Sequence, residues 1–387
     1  MDPRQVMSGT PRRLRVLHVI QNLNYGGMER LIAELVGGSD PERFEHHILV
    51  LQYLGRFSRE LEGIASLYQA RPQPVWSMLR PSRLARDVAA IAPDVVHSHS
   101  GVWYKAAYAA RLASVPRVVH TEHGRKVADS WMGHEVERLA SRWTDVIVAV
   151  SDVLATQLRD TVVRGSRASV VVIPNGVDVE RFAPRPDSGR LRRELGIPPQ
   201  APILGSIGRL EHIKGYDLVL EAFSLLGRDW QGEPPHLVLA GDGAERPRLE
   251  AMAAAHGTAS RARLLGWRDD VEDLLSSFTL FTMASRSEGT SVSLLEAMSS
   301  GLCPVVTDVG GNAAVLGDRL RHRLVPPEDS AALAAAWRDA LGAPDVLRAD
   351  ACEARSRVSR SFGLDAMRSR YERLYQGLPA GEPERLR

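Results

Sequence analysis

Two glutamates with seven residues between them are the most informative chemical feature of the sequence. Glu288 opens the segment EGTSVSLLE and Glu296 closes it, after the apolar run LFTM and before Gly301. On a helix, the Glu296 carboxylate can accept both hydroxyl groups of a ribose, while free backbone N–H groups of the preceding loop hold phosphate oxygens. Ser293 and Glu296 also stand at capping-box spacing, so that Glu296 could be only a helix cap. Glu288 lies in a glycine-flanked loop and has no such structural explanation.

Two cations follow the strand that we expect at Ile203–Ile207. The segment GSIGRLEHIKG places Arg209 and Lys214 in a loop that closes this strand and starts a helix. Cations at the start of a helix oppose the helix dipole, so the arrangement is unfavourable unless an anion lies there. The two side chains therefore indicate a diphosphate site.

A pair of glycines, Gly26 and Gly27, stands between the first expected strand, residues 15–20, and a helix. A helix N-terminus attracts an anion, and glycine lets the backbone approach a ligand closely. The full G-x-G-x-x-G spacing of dinucleotide sites is absent, so that by itself the pair predicts only a tight turn.

Histidines collect at the ends of expected strands in the first half of the chain. His97 and His99 end one strand, and His120 and His123 lie at the end of the next. Such a cluster can bind a metal ion or contact a substrate, or its members can satisfy hydrogen bonds in the core. The sequence leaves these alternatives open for His97, His99 and His120. His123 precedes Gly124 in the loop beyond its strand and is better placed to meet a ligand.

Short β-branched runs alternate with amphipathic helical stretches along the chain, which is typical of parallel sheets covered by helices. The rhythm stops in VDVERFAPRPDSGRLRRELGIPPQ and then restarts, and 387 residues are enough for two such domains. We therefore predict an α/β protein with two doubly wound, Rossmann-like domains facing a central cleft. The predicted divisions are an N-terminal domain at 1–180, a linker at 181–201, a C-terminal domain at 202–360, a last helix at 361–377 and a disordered tail at 378–387.

Composition excludes several classes of protein. Lys and Arg number 49 and Asp and Glu 47, so the formal charge is +2 and no nucleic-acid partner is indicated. Cys303 and Cys352 are too few for a disulfide scaffold or a thiolate zinc site. No run of eighteen apolar residues occurs, and the start is typical of a first strand, so we expect a cytoplasmic protein. Local basic patches leave peripheral contact with the inner face of the membrane open.

Several motifs together resemble one family of enzymes. GRLEHIKG, LVLAGDG and above all EGTSVSLLEAMSSGLCPVVTDVGG resemble the family-four retaining glycosyltransferases of GT-B fold (glycosyl transferases group 1). VIPNGVDVERF and the YGG turn are similar to further landmarks of that family, in the same order. The resemblance implies metal-independent transfer, with retention, of a sugar from a nucleotide-sugar donor. UDP is the commonest nucleotide of the family, and the acceptor would be a glycan, a lipid-linked molecule or a small molecule bound by the first domain.

The resemblance also implies roles for individual residues. Arg209 and Lys214 would grip the donor diphosphate, Glu296 would hold the ribose, Glu288 would lie near the transferred sugar, and His123 would contact the sugar or the acceptor. The predicted catalytic residues are Glu288, His123, Arg209 and Lys214. The predicted donor-binding residues are Gly26, Gly27, Arg209, Lys214, Gly289, Thr290, Ser291, Leu295 and Glu296.

Further expectations concern the frame around this site. Asn175 would sit at the hinge, and the last helix would cross back onto the first domain. The family's usual glycine-plus-aromatic run after Glu288 is replaced here by Gly289-Thr290-Ser291, which keeps the backbone donors but puts the sugar preference in doubt.

We predict neither a metal ion nor a cofactor, because the cations are placed to receive the charge that develops on the leaving diphosphate. The acidic run at 269–273 is explained as a helix start. A nucleotide-sugar epimerase of the same fold is the main alternative. A metallohydrolase built on the four histidines leaves the Glu-x7-Glu segment unexplained, and a nicotinamide dehydrogenase lacks its glycine fingerprint.

Overall fold

The computed structural model describes residues 12–24, 26–73, 75–124, 131–226, 230 and 232–381. Within this part, the chain forms two parallel sheets. Buried side chains point alternately to the two faces of each sheet and join separate cores; Ile203 and Leu204, for example, belong to different ones. The α/β class with two Rossmann-like domains is therefore confirmed.

The first sheet has seven strands in the order β3-β2-β1-β4-β5-β6-β7, all of them parallel. Near-continuous apolar runs form most of its strands, as a sheet buried on both faces requires. The strands are β1 (Leu14–Ile20), β2 (Phe44–Val50), β3 (Ser66–Gln69), β4 (Val95–His99), β5 (Arg117–Glu122), β6 (Val146–Ala149) and β7 (Ser169–Val172).

The second sheet has six parallel strands in the order β10-β9-β8-β11-β12-β13. The order reverses beside β8 and β11, and a crevice at the carboxyl ends of the strands results there. The strands are β8 (Ile203–Ile207), β9 (His236–Ala240), β10 (Ala262–Gly266), β11 (Leu280–Met283), β12 (Pro304–Thr307) and β13 (Leu324–Val325).

Helices cover both sheets. No helix in the described part of the chain is both long enough and apolar enough to cross a membrane. The helices are α1 (Gly27–Gly37), α2 (Ser82–Ile91), α3 (Trp103–Leu112), α4 (Trp131–Ser141), α5 (Asp152–Thr161), α6 (Arg190–Leu195), α7 (Tyr216–Leu226), α8 (Arg246–Ala255), α9 (Val271–Ser277), α10 (Val292–Ser299), α11 (Asn312–Leu316), α12 (Ser330–Gly342), α13 (Pro344–Ser361) and α14 (Leu364–Tyr375).

Two strands have no counterpart in the sequence prediction, and both lie at sheet edges. The side chains of β3 are mostly exposed, so this strand carries no apolar run to mark it. The other, β13, has only two residues. Edge strands bury little surface, and hydrophobic periodicity therefore gives no signal for them.

The segment 181–201, which we predicted as a linker, packs as part of the second domain. Its side chains Phe182, Leu191 and Ile197 are buried in the same core as Ile203 of β8. The prolines and charged residues of this segment obscured its apolar positions in the sequence, and the structure shows that it is part of the second domain and not a separate linker.

The two chain segments that pass between the domains run side by side. The Val177 N–H donates to the Phe362 carbonyl at 2.9 Å, and the Leu364 N–H donates to the Val177 carbonyl at 3.1 Å. Gly176 lies so close to this crossing that a Cβ there would stand 2.9 Å from the Leu364 Cα. These contacts form a hydrogen-bonded hinge.

The last helix, α14, packs on the first domain. Its residues Met367, Tyr371 and Tyr375 lie in one core with Val16 of β1. Ala380, in the tail that we predicted as disordered, is buried in the same core, so that prediction is wrong at this residue. The rest of the predicted tail, residues 382–387, lies outside the described residues.

Candidate active site

The helix α10 begins at the cleft, and its first turn differs from the one we predicted. Ser291 is the N-cap, and its hydroxyl oxygen accepts a hydrogen bond from the Leu294 N–H. Glu296 consequently lies in the second turn, where it cannot form a capping box with Ser293. The capping explanation of Glu296 is therefore wrong. The Leu294 N–H is taken by the cap, and the Val292 and Ser293 N–H groups of the first turn remain available to an anion.

Glu296 is buried at the boundary of the two domains. It is only 5% exposed, and its Oε1 accepts a hydrogen bond from Arg30 Nη1 of the first domain at 3.2 Å. Burial raises the pKa of this carboxyl to about 7, although Arg30 acts in the opposite direction. A carboxylate placed in this way can accept two hydroxyl groups of a sugar once it is ionised.

Glu288 has a structural partner that the sequence did not reveal. Its Oε1 lies 2.6 Å from Lys214 Nζ and accepts a hydrogen bond from the Ser285 hydroxyl at 2.7 Å. The Glu288 side chain is nearly enclosed, so the view that it stands in a flexible loop without structural explanation is corrected. The structure does bring Glu288 and Lys214 together in one ion pair at the carboxyl end of β11.

Arg209 is half-exposed and pairs with Glu211 at 2.7 Å. A 3₁₀ turn at His212–Lys214 separates it from α7, so it does not stand at a helix N-terminus. Our argument from the helix dipole fails for Arg209, because that field acts only within the first turn. Lys214 is nearer to α7, and at Gly215 (φ 64°) a Cβ would stand 1.9 Å from the Ala284 carbonyl oxygen, which ties this loop to β11.

The glycine turn of the first domain faces α10 across the cleft. Gly27 opens α1, and a Cβ on it would lie 3.7 Å from Val292 Cγ2. Gly26 is the N-cap and lies beside the carboxylate of Glu29, whose pKa is raised by burial. Tyr25 lies outside the described residues. Two helix N-termini, of α1 and α10, thus lie on the two sides of the cleft.

The loop before α10 rests against the first domain. The Thr290 hydroxyl donates to the Val150 carbonyl, and the Asn175 amide donates to the Thr290 carbonyl at 2.7 Å. A Cβ on Gly289 would stand 2.3 Å from the His123 carbonyl oxygen. The Thr290 side chain is therefore used for contact between the domains, and Asn175 lies at that contact.

Leu295 is a core residue. Its side chain is fully buried among the apolar residues of the second domain, and its N–H donates to the Ser291 carbonyl. Our prediction of direct donor contact by Leu295 is therefore contradicted, because neither its side chain nor its N–H faces the cleft.

The four predicted histidines do not converge on one point. His120 bonds to Ser98 and stacks on Trp103, on the face of the sheet opposite to His97 and His99. Because His120 is separated from the other histidines by the sheet, the hypothesis of a metallohydrolase built on all four histidines is wrong.

His97 lies in the core. Its two ring nitrogens are bonded to the Tyr375 hydroxyl at 2.8 Å and to the Thr121 hydroxyl at 2.7 Å. Its neighbours His18 and His99 have ring nitrogens within 4.8 Å of its own, but the bonds of His97 leave neither of its nitrogens free for a metal ion.

His123 follows β5 and lies at the cleft. Its Nε2 is 3.1 Å from Nδ1 of His99. Burial lowers the pKa of His123 to about 4, so the ring is neutral at pH 7.

Two family models match the chain in succession. Glycosyltransferase Family 4 matches residues 25–181, and Glycosyl transferases group 1 matches residues 187–357. The chain belongs to the family of glycosyltransferases that these two models describe. It is therefore an enzyme that transfers sugars, as the motifs around Glu288 and Glu296 predicted.

Named relatives of this glycosyltransferase use different acceptors. The 2-deoxystreptamine N-acetyl-D-glucosaminyltransferase of Streptomyces fradiae is 28% identical over 95% of this chain and 92% of its own. The UDP-Gal:alpha-D-GlcNAc-diphosphoundecaprenol alpha-1,3-galactosyltransferase of Escherichia coli is 29% identical over 61% of this chain and 63% of its own. The chain thus matches one relative over nearly its full length and the other over less than two thirds.

Solved structures share the whole fold. Anabaena HepE in complex with UDP and glucose superposes with a TM-score of 0.83 at 22% identity, over 95% of this chain and 100% of that one. WaaG, a glycosyltransferase involved in lipopolysaccharide biosynthesis, gives a TM-score of 0.72 at 17% identity, over 94% and 100%. The glycosyltransferase therefore has the GT-B fold that we predicted.

Proposed function

We propose that this glycosyltransferase moves a sugar from a UDP-sugar to an acceptor hydroxyl group, with retention of the anomeric configuration and without a metal ion. The observation that carries the proposal is the position of Glu296, buried beside the N-terminus of α10 where the glycine turn of the first domain faces it. Ribose at Glu296 and diphosphate at the helix N-terminus fit this arrangement.

The charge around the diphosphate favours catalysis by the protein's own groups. Lys214 and the N–H groups of α10 are preorganised donors for the negative charge that develops as the diphosphate leaves. Arg209 is exposed on the same loop and can turn from Glu211 to a phosphate. Glu288 holds Lys214 in place and would also lie near the sugar.

The hydrogen bonds of Glu288 support a mechanism without a carboxylate nucleophile. Its Oε1 is already shared by Lys214 and Ser285. The acceptor oxygen would attack the anomeric carbon on the face from which the diphosphate departs. The bond from that carbon to the diphosphate breaks as the new bond forms, and the hydroxyl proton passes to a phosphate oxygen. His123 would contact the sugar during this step.

The choice of UDP rests on one relative and one solved structure. The galactosyltransferase carries UDP in its printed name, and the HepE structure holds UDP. The relatives reported above are transferases, and they give no support to the epimerase alternative. The acceptor is a glycan, a lipid-linked molecule or a small molecule, since the relatives include both lipid-linked and small-molecule acceptors.

An exposed apolar patch supports peripheral contact of the first domain with a membrane. Trp76, Met78 and Leu79 are exposed together, and Arg80 and Arg83 are exposed beside them. Apolar side chains bordered by arginine suit the interface of an anionic bilayer. We expect flotation with vesicles that contain anionic lipid and its loss in Leu79→Glu; absence of flotation by the wild type would reject this contact.

The hydrolysis of a donor without acceptor tests the reaction itself. A panel of UDP-glucose, UDP-galactose and UDP-N-acetylglucosamine is incubated with the enzyme in EDTA, and proton NMR follows the anomer that is released first. Retention predicts that the released sugar first appears as the α anomer of the donor. Release of the β anomer first would reject retention, and hydrolysis that needs added metal would reject the metal-independent mechanism.

A further inference from the structure

Four imidazole rings form a continuous chain of contacts through the first domain and end at the cleft. His123 Nε2 lies 3.1 Å from His99 Nδ1, His99 Nε2 lies 3.2 Å from His18 Nδ1, and His18 Nε2 lies 3.0 Å from His46 Nδ1. We call these four residues the histidine chain. All these distances are hydrogen-bond distances, so each contact between two rings holds one proton.

The number of protons in the histidine chain is fixed. Burial lowers the pKa of all four rings, so each is neutral at pH 7 and carries one N–H proton. The three contacts take three of the four protons. One proton is left for the two end nitrogens, which are His46 Nε2 and His123 Nδ1.

The surroundings of the two ends decide where that proton lies. Nε2 of His46 is buried and has no hydrogen-bond partner in the described part of the chain; its ring lies near Phe44 and Tyr375. A buried N–H without an acceptor is rarer than an acceptor without a donor. Nδ1 of His123 makes no hydrogen bond within the described residues, and the adjoining loop borders the cleft at Gly289, where a ligand can supply an acceptor.

We propose that His99, His18 and His46 are positioning residues, which fix His123 as its Nδ1–H tautomer and make it a hydrogen-bond donor to an oxygen of the bound substrate. The partner of one ring nitrogen determines the tautomer at the other, and here the partner is a chain of three rings. The contact with substrate rests on the proposed function, but the tautomer does not.

The tautomer can be measured on the wild-type protein. Long-range ¹⁵N–¹H spectra of ¹⁵N-histidine-labelled protein at pH 7.5 distinguish protonated from unprotonated ring nitrogens, and His123 is assigned by the signals that disappear in His123→Gln. We expect a protonated Nδ1 and an unprotonated Nε2 for His123. A protonated Nε2 on His123 would overturn the proposal, because the chain would then have the opposite polarity.

A pair of substitutions at His99 separates positioning from simple packing. His99→Leu removes the donor to His123 Nε2, whereas the amide of His99→Asn can still donate there. We expect His99→Leu to lose the Nδ1–H tautomer and to lower kcat about tenfold with an unchanged dissociation constant for UDP, and His99→Asn to restore both tautomer and kcat. Thermal unfolding of both variants shows how much of any change is loss of stability.

The outcomes distinguish this inference from the proposed function. If the wild type binds no nucleotide and hydrolyses no donor, the proposed function fails, and the spectrum of His123 still decides the tautomer. The positioning role of the histidine chain is rejected if His123 keeps the Nδ1–H tautomer in His99→Leu. It is also rejected if both His99→Leu and His99→Asn lose kcat, each in proportion to its loss of thermal stability.

Discussion

Glu296 of the second domain and Arg30 of the first, 266 residues apart in sequence, form a hydrogen bond of 3.2 Å across the cleft. The bond joins the carboxylate that we assign to the ribose with the helix that follows the glycine turn. Because burial raises the pKa of Glu296 to about 7, the balance between burial and Arg30 decides whether the carboxylate is ionised at neutral pH.

The first prediction concerns the pH dependence of donor binding. Only the ionised Glu296 accepts two ribose hydroxyl groups, so affinity should rise with pH through about 7. For UDP-glucose, whose phosphates do not titrate between pH 6 and 8, we expect the association constant to increase about tenfold over that range. Calorimetry in EDTA measures it. Glu296→Gln should show weak binding at every pH, and an equally steep pH dependence in that variant would contradict the assignment.

The second prediction concerns Arg30. Arg30→Met removes the cation that lowers the pKa of Glu296, so the pKa should rise further and donor binding at pH 7 should weaken. The same calorimetric titration should show its midpoint displaced to higher pH. Arg30→Lys keeps the charge and is the matched control. A midpoint that stays in place in Arg30→Met would show that the ion pair does not govern Glu296.

The third prediction concerns closure of the domains at Gly289. A methyl group there would meet the His123 carbonyl oxygen at 2.3 Å and Val150 Cγ2 at 2.6 Å, so Gly289→Ala must push the loop away from the first domain. We expect turnover to fall roughly a hundredfold, as displacements near 1 Å do in active sites. Gly342→Ala meets no atom within 4 Å and is the control. Wild-type turnover in Gly289→Ala would mean that this contact is not needed.

The fourth prediction concerns stability in acid. Burial lowers the pKa of His46 and His123 to about 4, whereas in the unfolded chain both have ordinary values near 6.5. Between these two pKa values the unfolded state binds protons that the folded state does not. The contribution of each ring to the free energy of unfolding is therefore complete above pH 6.5 and falls as the pH drops towards 4. Each of the two rings should lower the free energy of unfolding by on the order of 2 kcal/mol at pH 5.

Urea unfolding at pH 7.5 and pH 5 measures this loss. In His46→Gln the loss of unfolding free energy between pH 7.5 and pH 5 should be smaller by the contribution of the His46 ring. His256 is exposed, and His256→Gln should leave the loss unchanged. If His46→Gln loses as much stability as the wild type, the pKa of His46 is not depressed in the folded protein.

The sequence predicts the parts of this molecule that depend on local patterns. Apolar runs such as PVVT of β12 and VIVA of β6 mark buried strands, and β12 and β8 begin and end where the sequence predicts. The sequence pattern does not predict β3, because the side chains of this strand are mostly exposed. The segments around Glu288 and Glu296 carry the family resemblance in their own residues, so the enzyme class is readable without a structure.

Long-range contacts are what the sequence does not contain. Nothing near Glu296 points to Arg30, since the two meet only when the domains face each other. Strand periodicity places His97 and His99 on one face of β4, but His18 becomes their neighbour only through the order of strands in the sheet. The anchoring of Glu288 by Lys214 likewise depends on the packing of two loops.

The most direct test of the donor site is calorimetric binding of UDP, GDP, ADP and dTDP in EDTA. It compares the wild type with Glu296→Ala and with Glu353→Ala, a control that removes a surface partner of Arg319. We predict that UDP binds selectively without metal, that Glu296→Ala weakens it at least about tenfold, and that Glu353→Ala does not. Absence of nucleotide binding without a metal ion, or binding by Glu296→Ala as tight as that of the wild type, would contradict the donor site described here.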